Sequence, residues 1–224
     1  MRYLAQFRKT GPAAYISHLD LMRAMQRALR RADAPMCYSQ GYNPHPILSF
    51  AMASPVGMVS HAEYMDVRVQ DDADATAITS SLIGVLPQGL AIVRSRLAPQ
   101  TYPTLMSRVA LCDAAVTFVQ QRDLQAEWEA FIQQDEILVH KHSKKGLRTV
   151  DIRPWIVTSQ MRDNVLSLRL CAGSAANLSP MLLAQTFCTY AGIDPEYRCL
   201  QRALWAGNAQ KPLDLLELDA EDAQ

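Results

Sequence analysis

Two histidines and a proline-braced loop hold most of the side chains in this sequence that could do or direct chemistry. The loop reads Tyr38-Ser39-Gln40-Gly41-Tyr42-Asn43-Pro44-His45-Pro46. Gly41 admits backbone conformations closed to other residues. Pro44 and Pro46 fix their own φ and drive Asn43 and His45 toward extended geometry. These constraints predict a stiff loop that displays Tyr38, Ser39, Gln40, Tyr42, Asn43 and His45 in set directions, as binding loops do. A structural turn whose polar groups satisfy one another fits the same residue types. His18 stands at the start of a helix. If His18 met Gln40, Asn43 and His45, the four would line a cavity beside a helix N-terminus, a place that favours anions. Two imidazoles so placed would suit acid–base cleavage of a phosphodiester. No serine, cysteine or carboxylate nucleophile stands in a recognisable motif. Glu63 and Asp66, three apart on a predicted strand, point to opposite faces and read as one solvated and one loop-bonded carboxylate.

The other chemistry-bearing residues are basic. Arg23, Arg27 and Arg30, with Arg31, form one flank of the first helix. A second group runs through His140-Lys141-His142-Ser143-Lys144-Lys145-Gly146 to Arg148, a predicted hairpin whose charges suit phosphates. A solvated hairpin tip is the plainer reading of Lys-Lys-Gly. Asp151-Ile152-Arg153-Pro154 follows. A residue before proline is extended, so Arg153 is expected to hold a fixed fork toward a carboxylate or phosphate.

Bulk properties narrow the possibilities. With 22 basic and 22 acidic residues in 224, the formal net charge is zero, which argues against a globally basic nucleic-acid binder. Five widely spaced cysteines, Cys37, Cys112, Cys171, Cys188 and Cys199, fit neither a disulfide framework nor an iron–sulfur triad. No His-x-x-x-His pair supports zinc, so no metal ligand is assigned. No apolar run approaches a membrane span, and the first residues are too polar for a signal peptide; the expectation is a cytoplasmic protein without membrane contact.

The elements that must position these residues follow from periodicity and punctuation. Leu4–Phe7 reads as a strand, followed after Gly11-Pro12 by an extended piece at Ala14–Ile16. Ser17-His18-Leu19-Asp20 caps a helix whose buried stripe would be Leu19, Met22, Met25, Leu29 and Ala32. Strands at 47–53 and 63–69, a helix at 74–86 and a strand at 90–97 complete a first unit. After a linker at 99–103, strand 108–119, helix 124–133, strands 137–142, 149–156 and 165–170, a helix from Ser179-Pro180 to Ala191 and strand 198–205 give a second. The order predicts an α+β protein of two tandem ferredoxin-like (split βαβ, βαββαβ) domains with antiparallel sheets, over residues 1–99 and 104–206. Residues 207–224, rich in acids, are expected to trail off disordered.

Several of these motifs resemble one known family. Tyr15-Ile16-Ser17-His18-Leu19-Asp20, the Tyr38–Pro46 loop, Ser49-Phe50-Ala51, Pro55-Val56-Gly57 and Glu63-Tyr64-Met65-Asp66 are similar to the radical-SAM-linked family of uncharacterised bacterial proteins. The resemblance covers roughly residues 1–205. It is tightest in the first half and looser around Lys145-Gly146 and Asp151–Pro154. Tyr42 stands where phenylalanine is expected, and Ser54 where leucine is usual. The resemblance implies a companion to a radical SAM protein with a cobalamin-binding-type domain, sometimes fused to it. It further implies genes beside an E/G-type ribonuclease and ribosomal-protein genes. S-adenosylmethionine and the iron–sulfur cluster are then expected only in the partner, with no cofactor in this chain. The expected function is a substrate- or RNA-binding module for RNA- or ribosome-related modification, not catalytic by itself. The alternatives are an RNA-processing enzyme using His18 and His45 as acid and base, or a protein-docking adaptor.

Overall fold

In the computed structural model the chain folds around one large, mostly antiparallel sheet; residues 1–143, 146–174 and 176–218 are described. The first half contributes β1 (Arg2–Lys9), α1 (His18–Arg31), β2 (Leu48–Phe50), β3 (Val59–Arg68), α2 (Ala75–Ile83) and β4 (Leu90–Ala98). A short α3 (Leu105–Arg108) leads to β5 (Leu111–Phe118), α4 (Gln125–Ile132), β6 (Leu138–Ser143), β7 (Gly146–Asp151), β8 (Ile156–Arg162), β9 (Val165–Cys171), α5 (Pro180–Ala191), β10 (Tyr197–Gly207) and β11 (Pro212–Asp214). The sheet runs β4-β1-β3-β10-β5-β9-β8, with β2 also on β3 and β11 also on β10. The halves meet where β10 pairs with β3 in parallel, Leu200 opposite Val59 and Gln201 opposite Ser60.

Local chemistry explains the helix bounds. Ser17 caps α1: its hydroxyl accepts from the Asp20 amide at 3.2 Å and donates to the Asp20 carboxylate at 2.7 Å. Pro180 opens α5, and Gly192 closes it in the left-handed conformation, φ 62°. Three apolar clusters result. One lies between α1, α2 and strands of the first half and includes Tyr3, Phe7, Met25, Leu29 and Met65. A second gathers Phe118, Trp128, Phe131, Leu168 and Phe187 around α4 and α5. The third joins Leu4, Ala62 and Tyr64 to Leu105, Leu204, Leu215, Leu216 and Leu218.

Several expectations are corrected. Leu19 lies 64% exposed, and the inward face of α1 is instead Leu21, Ala24, Met25, Ala28 and Leu29. Gly11–Tyr15 is a 3₁₀ turn rather than an extended piece, because Pro12 sits at its first helical positions. Segments 137–142 and 149–156 do not join the main sheet: β6 and β7 pair only with each other, and the strand beside β9 is β8. Asp151 ends β7 by accepting from the amides of Ile137 and Arg153, both at 2.9 Å. Residues 207–218 of the acidic tail fold onto the sheet. β11 pairs with β10, Arg94 makes an ion pair with Asp214, and Leu215, Leu216 and Leu218 are buried. Its apolar leucines outweigh its charges there; residues 219–224 lie outside the described residues.

Candidate functional site

The Tyr38–Pro46 loop is an outward-facing arch closed at its base. Tyr38 bridges Pro46, and the Ser39 amide donates to the His45 carbonyl at 2.9 Å. The Ser39 hydroxyl accepts from the His45 amide at 3.2 Å and lies 2.9 Å from His45 Nδ1, which is also 3.3 Å from the Asn43 carbonyl. One edge of the His45 ring is therefore used to brace the arch, and Nε2 faces away from those partners. Gly41 takes φ 128°, with open space where a Cβ would stand. Gln40, Asn43 and His45 are exposed, Tyr42 is 105% exposed, and Ser39 is half-buried. The arch thus uses its serine and backbone for its own shape and offers phenol, amide and imidazole groups to solvent.

His18 does not join this arch. Its ring meets Phe50 edge-on, centroids 5.5 Å apart. From His45 the chain passes through Pro46 and Ile47 into β2 and reaches Phe50 after five residues, about 16 Å at strand rise. α1 also runs from His18 away toward the loop end, and its fourteen residues span about 21 Å. No contact among the described residues joins His18 to Gln40, Asn43 or His45, and the chain path places the two imidazoles toward opposite ends of α1. A reaction needing both on one phosphodiester has no support in this geometry.

The basic residues divide in the same way. Arg27 and Arg30, exposed on the later turns of α1, lie toward the loop end and have no ion pair among the described residues. Arg23 is half a helix away and pairs with Asp20 at 3.2 Å. Arg148 is exposed on the detached β6–β7 hairpin. Lys144 and Lys145 lie outside the described residues, as does the side chain of Lys141. Arg153 is not extended. It opens a 3₁₀ turn at Arg153–Trp155 and its Nε donates to the Ile132 carbonyl at 2.9 Å, tying the hairpin base to α4.

A narrow cleft of about 260 Å³ adjoins the loop base, lined by Arg2, Leu48, Ser49, Asp66, Arg68 and Tyr102 among others. Its floor is a buried ion pair between Arg2 and Asp66, and Arg2 also donates to the Tyr102 carbonyl. Asp66 is therefore charge-paired, and neither carboxylate is the solvated one expected from the sequence. Glu63 is 1% exposed. Burial pushes its carboxyl above the ordinary range, against the opposing pull of Lys9. The same burial lowers Lys9, whose Nζ donates to the Pro55 carbonyl at 3.4 Å. Gln201 completes this buried group, donating to Ser60 Oγ, the Ala62 carbonyl and Glu63. Ser54, buried in the same region, turns its hydroxyl toward Glu63, where with Ser60 it opposes the upward shift that burial causes.

Sequence reasoning missed this buried group. Only the Glu63–Asp66 motif hinted at it, because the partners of Glu63 come from distant strands. The motifs at Tyr15–Asp20, Ser49–Ala51 and Pro55–Gly57 do gather in space: the Gly57 amide donates to the Ala14 carbonyl at 2.8 Å, and Phe50 supports His18. Among the described residues no cluster of three His, Cys, Asp or Glu side chains could hold a metal ion, and no helix is long and apolar enough to cross a membrane.

The molecule is thus an α+β protein with a large, mostly antiparallel sheet, few helices and a braced polar arch at one end. Residues 2–180 match the bacterial family described as "Uncharacterized protein conserved in bacteria (DUF2344)", and the chain belongs to that family. No curated protein matches it.

Proposed function

We propose that this chain is a binding module that holds single-stranded RNA for a separate radical SAM enzyme. The observation that carries the reading is the arch: Tyr42 stands wholly in solvent, beside Gln40, Asn43 and the free edge of His45, at the end of α1 that bears the exposed Arg27 and Arg30. Unstacked bases are held by aromatic faces and amide edges, with cationic side chains on the phosphates. Tyr38, at the foot of the arch, adds a second partly exposed ring. Arg23, Lys141, Lys144, Lys145, Arg148 and Arg153 remain proposed phosphate contacts of lesser weight. The enzyme with its S-adenosylmethionine and iron–sulfur cluster is supported by the resemblance of the Tyr15–Asp20 and Tyr38–Pro46 motifs to radical-SAM-linked proteins.

We also read each half as a ferredoxin-like unit. The strand orders β4-β1-β3-β2 and β10-β5-β9-β8 support this, since each places its four strands as a split βαβ unit does, with β6–β7 inserted in the second.

Titration of fluorescein-labelled tRNA and rRNA fragments at low and moderate salt tests the reading. Binding that weakens with salt and falls at least tenfold in a Tyr42→Ala/Asn43→Ala variant is expected. Absence of binding at both salts, or an unchanged affinity in the variant, rejects it.

A further inference from the structure

A second cationic feature lies on the sheet of the second half, away from the arch. α4 and α5 cover the face of that sheet carrying Val116, Phe118, Leu166, Leu168 and Leu170. Strand alternation turns Asp113, Ser167 and Arg169 to the other face, where a cleft of about 710 Å³ opens. It is a broad, open depression rather than an enclosed cavity.

Asp113 organises the floor of the cleft. It accepts from Arg169 Nε at 2.6 Å, from Arg169 Nη2 at 2.8 Å and from Trp205 Nε1 at 2.8 Å. The two-point contact locks the guanidinium plane and leaves Arg169 Nη1 without an acceptor among the described residues. Arg202 borders the same cleft for a different reason. The pairing of β10 with β5 slips between Gln201 and Ala203, so Arg202 is the extra residue of a bulge. Bulges re-aim a side chain out of the strand's alternation. Arg202 is exposed and has no hydrogen bond or ion pair among the described residues. Two guanidiniums thus face one carboxylate, and Thr158, Gln160 and Ser167, on the same face by their pairing, complete the lining with neutral hydroxyl and amide groups.

We infer that this cleft binds the phosphate of a nucleotide-sized ligand, with Arg202 and Arg169 Nη1 as its charged donors. A flat carboxylate offers two oxygens in one plane. A phosphate offers three, in directions that two separate guanidiniums and the flanking Thr158 and Ser167 hydroxyls can meet together. The phosphate could belong to a free mononucleotide or to one link of an RNA strand, and the chemistry of the cleft is the same for both.

Calorimetric titration with UMP and fluorescence anisotropy with a labelled oligouridylate 12-mer, both at 50 mM salt, test the inference. The proteins compared are wild type, Arg202→Ala and the Tyr42→Ala/Asn43→Ala variant. Arg202→Ala is expected to weaken whichever probe binds by about tenfold, the worth of one charge-assisted contact, while its Tm stays that of wild type. UMP binding that survives the loop substitutions marks a mononucleotide site; Arg202-dependent binding of the 12-mer alone marks a phosphodiester site. No binding of either probe at millimolar concentration, or equal affinity in Arg202→Ala, overturns the inference. Binding of the 12-mer that needs the loop but not Arg202 sinks the cleft and leaves the arch standing, and the reverse dependence does the opposite.

Discussion

Gln201 reaches across the seam between the two halves of the sheet, and its Nε2 lies 3.0 Å from the hydroxyl of Ser60. The seam itself is short, with two residue pairs in parallel register. Side-chain bonds from Gln201 to Ser60, the Ala62 carbonyl and Glu63 therefore supply much of its polar complementarity. Gln201→Leu should cost about 1–3 kcal/mol, since it strands buried acceptors without offering a donor. Urea unfolding followed by circular dichroism measures it; a loss under a few tenths of a kcal/mol would show that the seam does not depend on this side chain.

The same buried group sets a pH dependence whose sign can be worked out. The folded-state pKa of Glu63 is raised above the ordinary 4.5, chiefly by burial. The folded chain then binds the proton more tightly than the unfolded chain, and stability falls as pH climbs from 4.5 through the folded value. Asp20 and Asp113 shift the other way, below 3.8, so their contributions are complete before that window opens. For Asp113 the hydrogen bonds from Arg169 and Trp205 overcome burial, which alone would raise it. A plot of Tm against pH should decline above 4.5 in wild type and lose that decline in Glu63→Gln. Parallel profiles for the two proteins would rule the assignment out.

Arg2 and Asp66 should be sensitive to single substitutions and tolerant of a matched pair. Both side chains are more than nine-tenths buried. Arg2→Met leaves a buried carboxylate unpaired and is expected to cost about 3–5 kcal/mol, and Arg2→Met/Asp66→Leu to recover a large part of it. A double variant no more stable than the single one would contradict this account.

Thiol chemistry should separate the cysteines by depth. Cys112, Cys188 and Cys199 are buried, and burial raises all three thiols, Cys188 to about 11 and Cys199 to about 12. Native protein at pH 8 should react with a disulfide reagent first at Cys37, more slowly at Cys171, whose thiol partial burial also raises, and at the other three only on unfolding. Mass spectrometry of the labelled peptides would show any early modification of the buried group.

Local signals in the sequence carried as far as local physics reaches. Ser17 and Asp20 announced the start of α1, Pro180 and Gly192 bounded α5, and Gly41, Pro44 and Pro46 marked an outward arch. Signals failed where distant strands decide the outcome. Nothing near Glu63 reveals that Lys9 and Gln201 will enclose it, and Arg202 becomes a bulge residue only through its register against β5. Arg153 looked extended because proline follows it, yet Asp151 turns the chain there and the Ile132 carbonyl takes its Nε–H. Leu19 fitted the helical spacing as well as Leu21 did. Only the tertiary position of α1 decides which of them meets the sheet.

The order of synthesis gives β11 and its trailing leucines a role in assembly. Leu215, Leu216 and Leu218 close an apolar surface made partly of Leu4, Ala62 and Tyr64, and Tyr102 bonds to the Leu215 carbonyl and the Leu218 amide. Leu4 leaves the ribosome long before the segment that covers it, so this surface stays open to water until both halves have been made. Sealing it is a late event in the maturation of the nascent chain, and any tag fused after residue 218 must leave that segment free to fold back.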